Sequence, residues 1–301
     1  MPVSTEPVAP RSSQAFTSVA MDTGINIQVV TSRPRDMVEG DVQRALAWFE
    51  TVERICTRFD RSSEVMQLLD PCKVGRPVRV STLLFEVVSF AMDLADQSGG
   101  AFDPTIGAHM EQMGFDTNYR TGETIHTPVD AGSGTYRDVK LDLRRRTILL
   151  RRPVVMDLNA VAKGLAIDLA ARELQAYADV CVEAGGDLYV RGHNAARQPW
   201  QVGIQHPRAV GVLVETLQAT DTAVCTSGDY ERRGHMVDAR LRQPVQDLAS
   251  VTVVAPTAMA ADGLSTTAMV LGREAGQRFL AQQGVEAVLV APDGAVWKVK
   301  P

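Results

Sequence analysis

Hydrophobic positions along this chain alternate in short runs interleaved with longer stretches of helical period. Val42, Leu46, Phe49, Val52 and Cys56 recur at three- and four-residue steps, which predicts an amphipathic helix over 41–56. Leu83, Leu84, Val87, Val88 and Ala91 predict a second over 82–97, with Ser81 as its cap and S-G-G at 98–100 as its stop. A small-residue helix is expected from Asn159 to about Tyr177, and a closing helix pair over 261–283. β-branched or alternating runs predict strands at 25–30, 137–142, 147–150, 200–205, 212–217, 250–254, 286–291 and 295–299. The stretch 180–192 reads as strand, glycine turn, strand, and the polar, Gly/Thr-rich 116–135 as a loop. Residues 1–14 are polar and Pro/Ser-rich and read as a flexible tail, which leaves 15–301 as the folded part. Strands and helices intermingle throughout, so the fold class is α/β or mixed α+β in one cooperative unit.

Composition narrows the functional classes. A length of 301 residues allows two domains or one large one. The net charge of −5 disfavours nucleic acid, because phosphate contacts need clustered Lys and Arg, and with aromatics at 5% a base-stacking platform is not expected. No apolar run approaches the roughly 20 residues of a membrane span. The four cysteines form no C-x-x-C pair and read as reduced, packed residues. The N-terminus lacks the basic start and apolar stretch of a secretory signal, so a cytoplasmic protein is expected.

Four segments join small residues to a few charged ones at expected turns. In S-G-G-A-F-D-P-T-I-G, 98–107, the glycines allow close backbone approach and Pro104 keeps Asp103 out of helix, although a plain helix stop explains the segment as well. In D-L-N-A-V-A-K-G, 157–164, a strand end meets a helix start, a place where free N–H groups attract anions. Lys163 there opposes the helix dipole, as a solvated lysine or as a partner for an anion. E-A-G-G-D, 183–187, is read as a hairpin turn and not as a dinucleotide fingerprint. In A-A-D-G-L-S-T-T-A, 260–268, Asp262 and Thr266 stand i, i+4 on one helix face. They serve there as a cap or as hard oxygen ligands for Mg²⁺. Among the histidines, His235 stands three residues before Asp238, which permits a pair.

Taken in order, these segments resemble the ApbE family, the FAD:protein FMN transferases. The resemblance runs from about Met21 to Gly272 through M-D-T, F-x-x-x-S-E at 59–64, G-A-F-D-P-T at 100–105 and D-L-N-A-V-A-K-G-x-A-x-D at 157–168. It continues through A-G-G-D at 184–187, T-S-G-D-Y-E-R at 226–232, H-x-x-D at 235–238 and V-T-V-V-A-P-T-A-M-x-A-D at 251–262.

The resemblance implies a single large ApbE-like, T-fold-related domain of mixed sheets with packed helices. It implies a Mg²⁺-dependent enzyme that takes FAD, moves its FMN half to a Thr or Ser hydroxyl of an acceptor protein and releases AMP. An FAD pyrophosphatase and a non-catalytic FAD-binding protein stay open beside it. Carried over by position, Met21, Phe59, Ala101, Phe102, Asp103, Asp157, Lys163 and Met236 are expected to contact FAD. The Ala160 carbonyl, Asp262 and Thr266 are expected to hold the metal, and His235 to serve in transfer, oriented by Asp238. The chain departs from the family pattern at H-M-V-D-A-R-L-R-Q-P-V, 235–245, where the family's Pro and Thr-Gly after the Asp are absent. Asp22 replaces the glycine of M-G-T.

Overall fold

The computed structural model describes residues 11–132, 134–209, 211–229 and 234–301. In chain order its strands are β1 (Ser12–Ala20), β2 (Thr23–Thr31), β3 (Val78–Arg79), β4 (Val139–Asp142), β5 (Thr147–Leu150), β6 (Val180–Ala184), β7 (Asp187–Arg191) and β8 (Trp200–Gln205). β9 (Leu213–Ala219), β10 (Thr222–Gly228), β11 (Val237–Asp238), β12 (Gln243–Pro244), β13 (Ser250–Ala255), β14 (Glu286–Val290) and β15 (Val296–Val299) complete the set. The helices are α1 (Arg35–Cys56), α2 (Thr82–Gln97), α3 (Gly107–Gln112), α4 (Asn159–Glu173), α5 (Ala258–Leu271) and α6 (Arg273–Gln283).

Eight strands form one sheet in the order β1-β2-β6-β7-β10-β13-β14-β15, and every neighbouring pair is antiparallel. The period-2 alternation of side chains divides each central strand between two cores. Val29, Val182, Ala223, Cys225 and Leu289 face the large core shared with the helices. Val30, Cys181, Val190 and Val224 face the other way, onto Trp200, Val202 and Ala219 of the β8–β9 hairpin. The sheet is therefore wrapped by helices on one face and by a two-stranded flap on the other. A separate β3-β5-β4 sheet packs beside them.

Several expectations are revised here. Residues 12–14, assigned above to the tail, pair with 29–31 as the start of β1; residues 1–10 lie outside the described ones. α1 starts at Arg35 rather than at 41, because Arg35, Asp36 and Met37 form an exposed first turn that breaks the apolar stripe. α4 ends at Glu173, and 136–138 is a 3₁₀ turn ahead of β4. β1, β10 and α3 were not expected. All four cysteines are free thiols, and Cys72 is exposed rather than packed. Among the described residues no helix is long and apolar enough to cross a membrane.

Candidate active site

Two close approaches define the floor of the site. Where α4 crosses α5, a Cβ on Gly164 would stand 2.4 Å from the Ala258 carbonyl oxygen and 2.6 Å from Met259 Cα, so only glycine permits the contact. On α5, Gly263 makes a second close approach: a Cβ there would meet the Leu94 (2.6 Å) and Phe90 (2.8 Å) side chains of α2 and Val161 of α4 (3.2 Å). Asp168 then pins the crossing: its two carboxylate oxygens accept the backbone N–H groups of Ala258 (2.7 Å) and Met259 (2.9 Å) at the start of α5. Those donors have no partner within the helix, and a carboxylate is favoured at that end of the dipole.

The crossing places Asp262 against the first turns of α4. Its Oδ2 accepts the Gly164 N–H at 3.2 Å, and the residue is 5% exposed. α5 is capped by Thr257, whose hydroxyl accepts the Ala260 N–H, so Asp262 lies a turn inside the helix and the capping alternative is set aside. Thr266, one turn further along, contacts Ser227 of β10 at 2.8 Å.

Lys163 projects from α4 to Asp187, the first residue of β7, with Nζ 2.7 Å from Oδ2. Asp187 Oδ1 also accepts the Thr226 N–H. Burial works against the ammonium charge, but Asp187 and Asp262 outweigh it and hold Lys163 above the ordinary lysine range. Lys163 is thus neither a solvated lysine nor a spare cation. Its charge is already matched by Asp187.

The A-G-G-D segment is the hairpin expected of it. Gly185 and Gly186 form a two-residue turn, with φ of +61° and +89°, between paired Ala184 and Asp187. A Cβ on Gly185 would lie 2.5 Å from Thr23 Oγ1, beside the β1–β2 turn. That second turn consists of Met21 and Asp22, both left-handed at φ of +53° and +59°. Asp tolerates this conformation, whereas Met is strained in it. The Met21 N–H donates to Glu53, which also receives Arg120.

Opposite these turns, Arg58 is almost wholly buried at 3% exposure. Its Nε donates to Asp157 Oδ2 (2.8 Å), Nη2 donates to the Phe115 carbonyl (2.5 Å), and the guanidinium lies 4.1 Å from the Phe59 ring centroid. Arg58 was not anticipated from the sequence, since arginine is normally exposed. Asp157 Oδ1 accepts the Asn159 N–H at the head of α4.

Asp103 is spent structurally. It accepts the Thr105 N–H and hydroxyl on one oxygen and the Tyr136 N–H on the other, and burial, opposed by those bonds, raises it above the usual carboxylate range. His235 meets Phe115 edge-on at 6.4 Å. Asp238, expected to orient it, instead gives both oxygens to Arg240, whose guanidinium binds it through Nε and Nη2.

These elements enclose a cleft of ≈ 1090 Å³. Eleven of the twelve residues singled out from the sequence line it, from Met21 and Phe59 on one side to Ala160, Asp262 and Thr266 on the floor and His235 and Met236 at the loop. Ala101 does not. It is fully buried, and its carbonyl accepts the Ala239 N–H, which ties the 235–245 loop to the cleft wall. Of the T-S-G-D-Y-E-R segment, residues 230–232 lie outside the described residues.

The fold, a large antiparallel sheet backed by helices, is similar to that of a solved ApbE protein from Thermotoga maritima. That structure superposes with a TM-score of 0.83 at 26% identity, over 95% of this chain and 97% of the other. The ApbE family model matches residues 21–289, and the chain belongs to the ApbE family, an enzyme family of the transferase class. An FAD:protein FMN transferase of Rhodobacter capsulatus is 33% identical over 74% of this chain and 45% of its own length, so the chain spans under half of that relative. One of Haemophilus influenzae is 30% identical over 72% of this chain and 68% of its own.

Proposed function

We propose that this chain is a Mg²⁺-dependent FAD:protein FMN transferase. The observation that supports it most is the convergence of eleven sequence-selected residues, drawn from widely separated segments, on one cleft of this family's fold.

The donor set fits the metal. Asp262 and Thr266 offer hard oxygen donors one helical turn apart on α5, the donor type that suits Mg²⁺. Mg²⁺ takes few protein oxygens and completes its shell with phosphates and water. Asp262, Thr266 and the Ala160 carbonyl would hold it. When bound, it would neutralise pyrophosphate charge and stabilise the departing AMP oxygen.

The protein residues would do the rest. Asp157, fixed by Arg58, and Lys163, fixed by Asp187, set the charge pattern around the first turn of α4. Met21, Phe59, Phe102 and Met236 supply the apolar wall for a ring system. His235 stands on the loop at the cleft and would accept the proton of the acceptor Thr or Ser hydroxyl as its oxygen bonds to the FMN phosphorus. The bond from that phosphorus to the bridging oxygen breaks, and the oxygen leaves on AMP. The reaction is then mostly positioning and charge stabilisation of an in-line displacement.

The test is incubation with FAD, Mg²⁺ and a Thr-containing acceptor peptide. Flavin-labelled peptide and AMP in equal amounts are expected, and both are expected to fail for Asp262→Ala. Free FMN without labelled peptide would make the chain an FAD pyrophosphatase, and bound FAD with no AMP would make it a binding protein.

A further inference from the structure

Three hydroxyls at the cleft floor, Thr266 and Ser227 lining it and Ser265 behind them, form a chain whose proton order is fixed by counting. Ser265 Oγ is 2.9 Å from the Asp262 carbonyl oxygen, Ser227 Oγ is 2.8 Å from Ser265 Oγ, and Ser227 Oγ is 2.8 Å from Thr266 Oγ1. There are three contacts and three hydroxyl protons, one per side chain. A carbonyl can only accept, so the Ser265 proton goes to Asp262. Ser265 must then accept from Ser227, and Ser227, its one proton spent, must accept from Thr266. Any other order leaves two lone pairs facing each other at hydrogen-bond distance in a buried place, where an unmade hydrogen bond is costly. Ser265 is fully buried and Ser227 nearly so.

We infer that Ser227 and Ser265 are positioning residues that orient the Thr266 hydroxyl for metal binding, drawing its proton away from the cleft so that its oxygen faces a cation with lone pairs alone. The inference rests on the metal reading above and adds to it two residues that need touch neither metal nor FAD. A hydroxyl is a good cation ligand only when its proton points elsewhere, and outer partners of this kind orient the ligand. The chain also begins and ends on the two candidate side-chain ligands: Thr266 supplies the first proton and the Asp262 backbone receives the last. Both ligands are therefore held in register on one face of α5.

Removing Ser227 leaves the Thr266 proton without an acceptor. Removing Ser265, which does not touch Thr266, leaves the Ser227 proton to turn onto Thr266, which reverses the order and directs the Thr266 proton to the cleft. A structural packing role would make Ser227→Ala and Ser265→Ala act through stability. A proton-ordering role makes both act through the metal.

The experiment titrates Mn²⁺ into the FAD complex of the full chain and follows free Mn²⁺ by electron paramagnetic resonance. FAD affinity in EDTA and the melting temperature are measured alongside. Ser227→Ala and Ser265→Ala are expected to weaken Mn²⁺ by about tenfold, the scale of outer-partner losses at metal sites. FAD affinity in EDTA is expected to stay within about twofold, and Ser227→Thr, which keeps the hydroxyl, to restore Mn²⁺ binding. Should Ser265→Ala fail to fold, the two Ser227 variants carry the comparison. Wild-type Mn²⁺ affinity in the serine variants, with loss in Asp262→Ala, overturns the proton order alone. Wild-type affinity in Asp262→Ala and Thr266→Ala overturns the metal reading and the inference with it.

Discussion

Lys163 and Asp187 meet at 2.7 Å, a helix residue paired to the strand residue just past a glycine turn. The pair joins two segments whose sequence signatures look unrelated and sets the charge of the cleft floor. Asp187 meets the Lys163 ammonium directly, and Asp262 acts on the same ammonium through its charge. Asp187→Asn is predicted to cost about 2 kcal/mol in urea denaturation. That is less than the roughly 3–5 kcal/mol of a wholly buried pair, because the lysine side chain keeps some water contact. It is also predicted to redirect Lys163 to Asp262 and so raise the Mg²⁺ concentration needed for AMP release. An unchanged Mg²⁺ dependence would show that Asp187 does not govern the charge of the floor.

Gly164→Ala tests the helix crossing. Its Cβ would meet backbone, not the end of a flexible side chain, so α4 and α5 must separate. A loss of about 1–3 kcal/mol is expected from overpacking, with weaker metal binding, because Asp262 loses the Gly164 N–H. Thermal melting and Mn²⁺ titration read the two effects separately.

His235→Asn is predicted to lower kcat for flavin transfer by about 10²–10⁴, the usual share of a proton-accepting side chain. FAD affinity measured by fluorescence quenching should change little. A large loss of FAD binding with kcat preserved would move His235 from proton transfer to substrate binding.

Asp103 gives a pH signature. Burial raises its folded-state pKa, so the folded protein takes up this proton more readily than the unfolded chain. Its contribution is fully present below the unfolded value of about 3.9 and is lost as pH rises through the raised folded value. Asp103→Asn is neutral throughout. The wild type should therefore gain stability relative to Asp103→Asn as pH falls from 7 to 4 in denaturant titrations. A difference that stays flat across that range would mean the carboxylate is not desolvated.

The helices with apolar stripes were legible because burial on one face leaves a 3.6-residue trace. β1 left none: its exposed positions carry Ser, Ala, Thr and Val, and its buried ones are only Phe16 and Ala20. β10 is built of small residues and buried on both faces, so it shows no alternation. Within the site, positions were legible through their order along the chain, but roles were not. The Asp168 cap spans 90 residues in sequence, and Arg58 has the composition of a surface residue. Asp103 and Asp238 have the composition of catalytic acids, yet their oxygens are committed to Thr105 and Tyr136 and to Arg240. Which carboxylates are engaged depends on partners brought by the fold, and no local pattern announces them.

The α4 segment behaves like a ruler. Ala160, Gly164 and Asp168 fall four residues apart, with Lys163 beside Gly164, so one stripe of the helix meets the cleft, Asp187, α5 and the α5 amide groups in turn. Inserting or deleting a single residue between Asp157 and Asp168 turns the remainder of the helix by roughly 100°. The ion pair, the glycine crossing and the carboxylate cap cannot then be kept together. The site therefore depends on the spacing along this stripe as much as on the side chains that occupy it.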